Sequence, residues 1–367
     1  MVIDYHKNDY SRFRPTGYPV RHREKVPFEP KLSLPLEYRR MLSEIRDLDR
    51  ELDRYVLGDS DYSELVRDAY SDNIHWSVRI EGNDLPSEEV KRLTARFTEG
   101  QVDEKNPGPV QEIINHLYSF FAKEVFGLPW DRDTITGLHA VLMKGVDDKV
   151  VPGEIRKKEV SVIGKDGTEF FIACPPSHID TELDSLIQWL NGSPYDEIVT
   201  ATLFFHEFES IHPFENGNGR TGRTLFQVLL QELGLKNCKL CKFEREMLSD
   251  SETYYDLLAF ADATGVYTQL VMFVTESLLA AYRDAVSRFS EKDQIRDMDE
   301  NSRTIVSRSR EVESFTMKDA CSWIPGLGPQ SVRSRIDVLV DRGILEKTGA
   351  TKGLRYRFKD PFREFRV

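Results

Sequence analysis

The stretch Ile211-His212-Pro213-Phe214-Glu215-Asn216-Gly217-Asn218-Gly219-Arg220-Thr221-Gly222-Arg223 gathers a histidine, a glycine-bracketed turn and two arginines. These are the parts needed to hold a polyphosphate and to take a proton from an attacking hydroxyl. His212 is the only nearby group that titrates near neutrality, so it is the natural general base. Gly217 and Gly219 carry no side chain and let the backbone approach phosphate oxygens closely. Arg220 and Arg223 add charge and forked donors suited to phosphate.

These residues need elements to position them. Ile198, Ala201, Phe205, Phe208 and Ile211 recur at helical spacing upstream. Pro213 cannot continue that helix, which leaves His212 at its end, able to face a cleft. Leu225, Leu229 and Leu233 repeat every four residues downstream, with Gly234 as the predicted C-cap. The turn thus opens onto a helix N-terminus, whose free N–H groups and dipole attract anions. A helix–turn–helix corner with solvated arginines would explain a lone Gly-x-Gly, but not a segment this specific.

The segment resembles the Fic (Fido) family signature His-x-Phe-x-(Asp/Glu)-Gly-Asn-Gly-Arg-x-x-Arg. The resemblance implies a nucleotidyltransferase that moves AMP from ATP to a hydroxyl side chain of a protein. By position, His212 would deprotonate the target hydroxyl and Phe214 would anchor the loop. The nucleotide-binding stretch would run from Glu215 through Asn216, Gly217, Asn218, Gly219, Arg220, Thr221 and Gly222 to Arg223. Within it Gly217, Asn218 and Gly219 would cradle the phosphates, and Arg220 and Arg223 would hold the β- and γ-phosphates. Asn216 departs from the pattern: it stands where the family has the carboxylate that binds Mg²⁺. Hard cations prefer charged oxygens, so the implied metal position, Asn216, predicts weaker Mg²⁺ use.

Ser77-Val78-Arg79-Ile80-Glu81-Gly82-Asn83 adds a second feature. Ile74, Val78 and Glu81 share a helical face, with Ser77 beside Glu81 at i,i+4 and Gly82 ending the helix. A carboxylate buried on an apolar face needs a cationic partner, whereas a helix-end Glu in solvent needs none. The segment resembles the family's inhibitory motif, (Ser/Thr)-x-x-x-Glu-(Gly/Asn). That resemblance names Arg223 as the partner and makes Ser77, Glu81, Gly82 and Asn83 an inhibitory element.

Two β-prone runs, Val160-Ser161-Val162-Ile163 and Phe170-Phe171-Ile172, flank Lys165-Asp166-Gly167-Thr168 and predict a hairpin. It resembles the family's flap, whose edge would pair with an extended target segment; spacing alone does not separate this from an ordinary surface hairpin. Tyr254, Tyr255 and Asp262 match positions where the family lines its adenine pocket, although aromatics beside Leu257 and Leu258 are more often core.

The chain has 367 residues and a formal charge of −12, enough for two or three domains and against a generic nucleic-acid coat. No apolar run reaches membrane-spanning length and the N-terminus lacks a signal-peptide core, so no membrane partner is expected. Four cysteines fit a reducing, cytoplasmic setting. Cys238-x-x-Cys241 lacks the second pair of a zinc site.

The expected fold is mainly α: a Fic-type helical bundle with a β-hairpin flap, plus a C-terminal α+β winged-helix domain. The expected divisions are 1–129, an extended arm followed by helices, including one over Leu36–Tyr55, the inhibitory helix and one over Pro109–Phe126; 130–282, catalytic; 283–310, a charged helix or linker; and 311–367, winged-helix-like. Ser331, Arg333, Ser334, Arg335, Lys352, Arg355 and Arg357 could face DNA. Asp337, Asp341 and Glu346 dilute that patch, and such modules also dock proteins. The partners implied are ATP, a protein bearing a Ser, Thr or Tyr hydroxyl, and the chain itself as substrate, with a homodimer left open. A DNA-binding regulator with a nucleotide-sensing Fic portion, and an enzyme removing AMP, are the alternatives.

Overall fold

The computed structural model describes residues 20–22, 28–102, 106–121, 127–163, 167, 169–348 and 354–359. It is mainly helical. In chain order the elements are β1 (Val20–Arg21), α1 (Leu36–Leu52), α2 (Asp59–Arg79), α3 (Ser87–Thr98), α4 (Gly108–Phe121), α5 (Arg132–Met143), β2 (Ser161–Ile163), β3 (Glu169–Ile172), α6 (Ile179–Asn191), α7 (Glu197–Ile211), α8 (Asn218–Glu232), α9 (Phe243–Leu248), α10 (Ser251–Thr264), α11 (Thr268–Glu291), α12 (Glu300–Arg310), α13 (Met317–Trp323), α14 (Pro329–Asp341), β4 (Leu345–Thr348) and β5 (Arg355–Phe358).

The chain divides into two compact units, one of residues 1–49 and 67–285, the other of 50–66 and 286–367. These limits differ from the sequence boundaries at 129/130, 282/283 and 310/311. Met41 and Ile45 of α1, Ile74 and Val78 of α2, and Ile113 and Leu117 of α4 are buried within the same compact unit as the catalytic segment.

The first unit is built around α7, which is buried on all sides from Glu197 through Phe208. It packs on α6 and α8, and α8 packs on α5. Asp196 caps its start by accepting from the Val199 N–H at 3.1 Å. Leu225 and Leu229 bury on α8, with Leu233 as C-cap and Gly234 just beyond it. Beside the helices lies a small sheet of order β1-β3-β2. β2 runs antiparallel to β3, with Val162 opposite Phe171 and an irregularity before Ile163, whereas β1 is parallel to β3. The expected hairpin is therefore present, widened by the arm strand. Its turn residues Lys165, Asp166 and Thr168 lie outside the described residues, as do residues 122–126 of the helix expected to reach Phe126.

In the second unit, Ile305 and Val306 of α12 join Phe315, Ala320, Val332, Ile336, Leu339, Leu345 and Tyr356 in one core. Of the two readings of residues 283–310, helix is what forms over Glu300–Arg310; Asp299 caps it, and Ser302, Ile305, Val306 and Ser309 form its buried face. α13 and α14 follow, and β4 pairs antiparallel with β5. Lys352 lies outside the described residues. Among those described, no helix is long and apolar enough to cross a membrane, and Cys174, Cys238, Cys241 and Cys321 are free thiols.

Candidate active site

The α7–α8 turn is held by contacts its sequence encodes locally. His212 adopts a left-handed conformation (φ 52°) as the C-cap of α7, and its N–H donates to Phe208 O at 2.9 Å. Such a backbone is uncommon for a non-glycine residue and needs support from its surroundings. Arg156 supplies part of that support: its Nε donates to His212 O at 2.7 Å and its backbone N–H to Pro213 O at 2.9 Å. Asn218 brackets the turn, accepting from the Phe214 N–H at 2.9 Å and donating to Phe214 O at 2.8 Å. Phe214 is fully buried and stacks on His139 with ring centroids 3.7 Å apart. Gly217 has φ 81°, and a Cβ there would lie 2.5 Å from Met143 Sδ. Gly217 therefore serves packing against α5, whereas Gly219 lines the cavity beside Glu81 and Arg223.

That cavity has a volume of about 630 Å³. His212, Gly219 and Arg223 line one side, and Glu81 with Trp76 and Arg79 another. Tyr254, Tyr255 and Asp262 from α10 line it too, as do Val162 and Ile163 of the hairpin. A space of this size suits a nucleotide-sized ligand.

His212 Nδ1 lies 3.2 Å from Glu209 O. A carbonyl only accepts, so Nδ1 carries the proton and Nε2 keeps its lone pair. Burial pushes the imidazole down to about 4, with Arg156 adding to the effect, so the ring is neutral at pH 7.

Arg223 is buried, with its Nε and Nη2 engaged. Its Nε donates to Ser77 Oγ at 2.9 Å, and Nη2 donates to Ser77 O at 2.9 Å and Glu81 Oε1 at 2.8 Å. Burial works against the Glu81 charge, but Arg223 and Arg220 outweigh it and hold the carboxyl below its usual range. Glu81 was expected to be buried. Its side chain is 27% exposed, because it sits past the end of α2 with Gly82 (φ 95°) beside it.

Arg220 does not reach this cavity's lining. Its Nη1 pairs with Glu112, and Nη2 donates to Asn216 Oδ1 at 2.8 Å. Glu112 Oε2 in turn accepts from Asn83 Nδ2 at 2.6 Å. The carbonyl expected at a metal also receives the Gly217 N–H at 2.7 Å, so both lone pairs of Asn216 Oδ1 are taken. Its amide donates to Asp147 Oδ2 at 3.1 Å. Asn216 as folded therefore does not fit a metal ligand. Glu215 points away to solvent, 4.0 Å from Lys158. Thr221 and Gly222 are buried in α8.

Sequence reasoning missed several participants. Glu112, Glu209 and Glu244 are acids on packed helices; beside Glu112 and Glu209 the apolar neighbours were the available signal, whereas Glu244 sits in a charged stretch that gave none. His139 pins the turn, bonding Asn216 O at 2.9 Å and accepting from the Gly153 N–H at 2.8 Å. His22, following β1, meets Ser210 Oγ at 2.8 Å, and Ser210 donates to Asp262 Oδ1 at 3.0 Å.

Comparison with known proteins coincides with this geometry: residues 129–230 match the Fic/DOC family model. Over that stretch the chain is similar to Fic/DOC domains. A probable protein adenylyltransferase of Aquifex aeolicus is 30% identical over 160 residues, 41% of this chain and 47% of that protein. The protein adenylyltransferase Fic of Aedes aegypti is 25% identical over 61% of this chain and 44% of its own length. The chain thus spans under half the length of these curated relatives. A Fic family protein from Desulfovibrio desulfuricans superposes with a TM-score of 0.60 at 22% identity, covering 90% of this chain and 98% of that one. Fic-1 of C. elegans does so with 0.52 at 21% identity, covering 68% and 72%. The fold of the Fic bundle is shared with both.

Proposed function

We propose that this chain is a protein adenylyltransferase that moves AMP from ATP to a Ser, Thr or Tyr hydroxyl of a protein, restrained by Glu81 on Arg223. The observation that carries the reading is a neutral histidine and a buried arginine lining one nucleotide-sized cavity, with Glu81 occupying that arginine. The names of the relatives support the same reaction.

In this reading Tyr254, Tyr255 and Asp262 surround the base and Arg223 receives the γ-phosphate. A hydroxyl oxygen of the target attacks the α-phosphorus, and its proton passes to His212 Nε2. The bond from the α-phosphorus to the bridging oxygen breaks and pyrophosphate leaves. Glu81 competes with the γ-phosphate for Arg223, so the resting protein is slow. β2 is the edge strand of its sheet, with Val162 and Ile163 exposed, and suits addition of an extended target segment. We read α12–α14 with β4 and β5 as a winged-helix-like module for protein contact. Arg335, Lys347 and Arg357 each pair with an acid of the same unit, namely Asp299, Asp337 and Glu346, which offsets part of the charge a phosphate backbone would need.

The test is label transfer from α-phosphate-labelled ATP to lysate proteins. Glu81→Gly should label more than wild type, and adding His212→Ala should return the signal to background while ATP binding persists. A Glu81→Gly protein no better than its His212→Ala derivative would overturn the reading.

A further inference from the structure

We propose that Glu209 is a second phosphate contact in this cavity, its carboxyl O–H donating to a non-bridging oxygen of the polyphosphate beside Arg223. The proposal rests on the nucleotide reading above and adds a residue and a proton to it.

Glu209 lies on α7 and lines the cavity with Arg223 and Gly219. Its Oε1 is sealed from solvent and has no hydrogen-bond partner among the described residues. The carboxyl rests against α8 at Gly222, where any Cβ would overlap Oε1 and crowd Phe208 Cδ1 at 3.0 Å. The glycine thus makes room for an acid at a place where an acid costs stability. The Nε and Nη2 donors of Arg223 go to Ser77 and Glu81, and Glu244 Oε2 lies 3.6 Å from Nε, so two acids other than Glu209 already face its charge.

Three carboxyls around one guanidinium cannot all stay ionised. Glu81 holds its charge. Burial pushes Glu209 up to about 8, against the pull of Arg223 and with the charge of Glu81 adding to it. Burial likewise brings Glu244 up to about 7. The other titratable groups near Glu209 are Tyr254 and Tyr255 of α10 and His212, none of which ionises near pH 8. At pH 7 Glu209 therefore presents a donor rather than an anion. A donor beside a cation and a helix N-terminus suits a polyphosphate, and an ionised carboxylate there repels it.

The experiment measures calorimetric affinity for β,γ-imido-ATP and for adenosine between pH 7 and pH 9. It uses the Glu81→Gly protein alone and with Glu209→Gln or Glu209→Ala. With Glu209 present, triphosphate binding should weaken at least about tenfold from pH 7 to pH 9, as expected when the ionised form does not bind and the Glu81 charge that opposes its ionisation is gone. Glu209→Gln, which keeps a donor but cannot ionise, should lose most of that pH dependence, keeping only the share that Glu244 adds near pH 7; Glu209→Ala should bind more weakly at every pH. Adenosine should bind all three alike. Ionisation of the ligand's own phosphate is common to every protein and cancels in the comparison. An equal alkaline loss in Glu209→Gln overturns the role of Glu209 and leaves the nucleotide site standing. Failure of the Glu81→Gly protein to bind the triphosphate at any pH overturns the nucleotide reading itself, and this proposal with it.

Discussion

Arg220 and Arg223 lie one turn apart on α8, and each reaches an acid on another helical segment. Glu112, the partner of Arg220, sits within α4, with a side chain only 7% exposed. Glu81, the partner of Arg223, sits past the end of α2, and its side chain is 27% exposed. The first acid is fixed by its helix and by Asn83. The second sits on the turn that follows α2, and in the reading proposed above a phosphate displaces it. Two arginines that look equivalent in sequence thus differ in setting: one ties the turn to the bundle through a buried acid, and the other, in the proposed reading, is the one available for exchange.

The largest expected effect tests the exchangeable arginine. Arg223→Ala in a Glu81→Gly background should lower label transfer by at least about 10²-fold per folded molecule, as for loss of a charge-stabilising donor, with the folded fraction read from the melting profile. Retained transfer would mean that Arg220 does the work assigned to Arg223. The reciprocal substitution tests the structural arginine. Arg220→Ala leaves Glu112 buried without its cation and should cost about 3–5 kcal/mol in urea denaturation. Glu81→Gly should cost less than about 1 kcal/mol, because its pair is partly open to solvent. Similar losses from the two variants would erase the distinction.

Much of this division was hidden in the sequence. The periodicity around His212 located α7 and α8, because a buried helix keeps its apolar repeats, and Pro213 marked where the first must stop. The hairpin was legible from its β-branched runs. The partner of Arg220 was not, since Glu112 lies on α4 and only the packing of that helix brings it near. Nor did the sequence reveal that Asn216 would turn its carbonyl onto Arg220, because side-chain direction in a turn depends on neighbours such as Asp147 and His139. The arm's contribution, His22 against Ser210, joins residues far apart in the chain and left no local signal.

A smaller effect concerns the pin beneath the turn. Burial pushes His139 down to about 4 and His116 to about 3. Both are therefore neutral in the fold, whereas in the unfolded chain they take up protons below about 6.5. The unfolded state binds more protons as pH falls, so stability declines from about pH 6.5 down to the folded values and then levels off. Between pH 7 and pH 5 each such histidine should cost about 2 kcal/mol. His139→Gln should remove one such share from the difference between urea denaturation at the two pH values. An unchanged difference would mean that His139 titrates normally and does not hold the turn as a neutral ring.

The smallest effect is expected where this turn departs from the family signature. In Asn216→Asp, one oxygen can keep the bonds from Arg220 Nη2 and the Gly217 N–H. The other replaces the amide that now donates to Asp147 Oδ2 at 3.1 Å. Two carboxylates would then face each other at a half-open position, a repulsion worth no more than about 1 kcal/mol. A divalent cation relieves such a pair, since hard cations take charged oxygens. Without Mg²⁺ the variant should melt slightly below wild type, and millimolar Mg²⁺ should restore it while leaving wild type unmoved. A Mg²⁺ response of equal size in both proteins would mean that a cation already binds without an acid at position 216. The contrast between the two arginines would then have to include a metal beside Arg220.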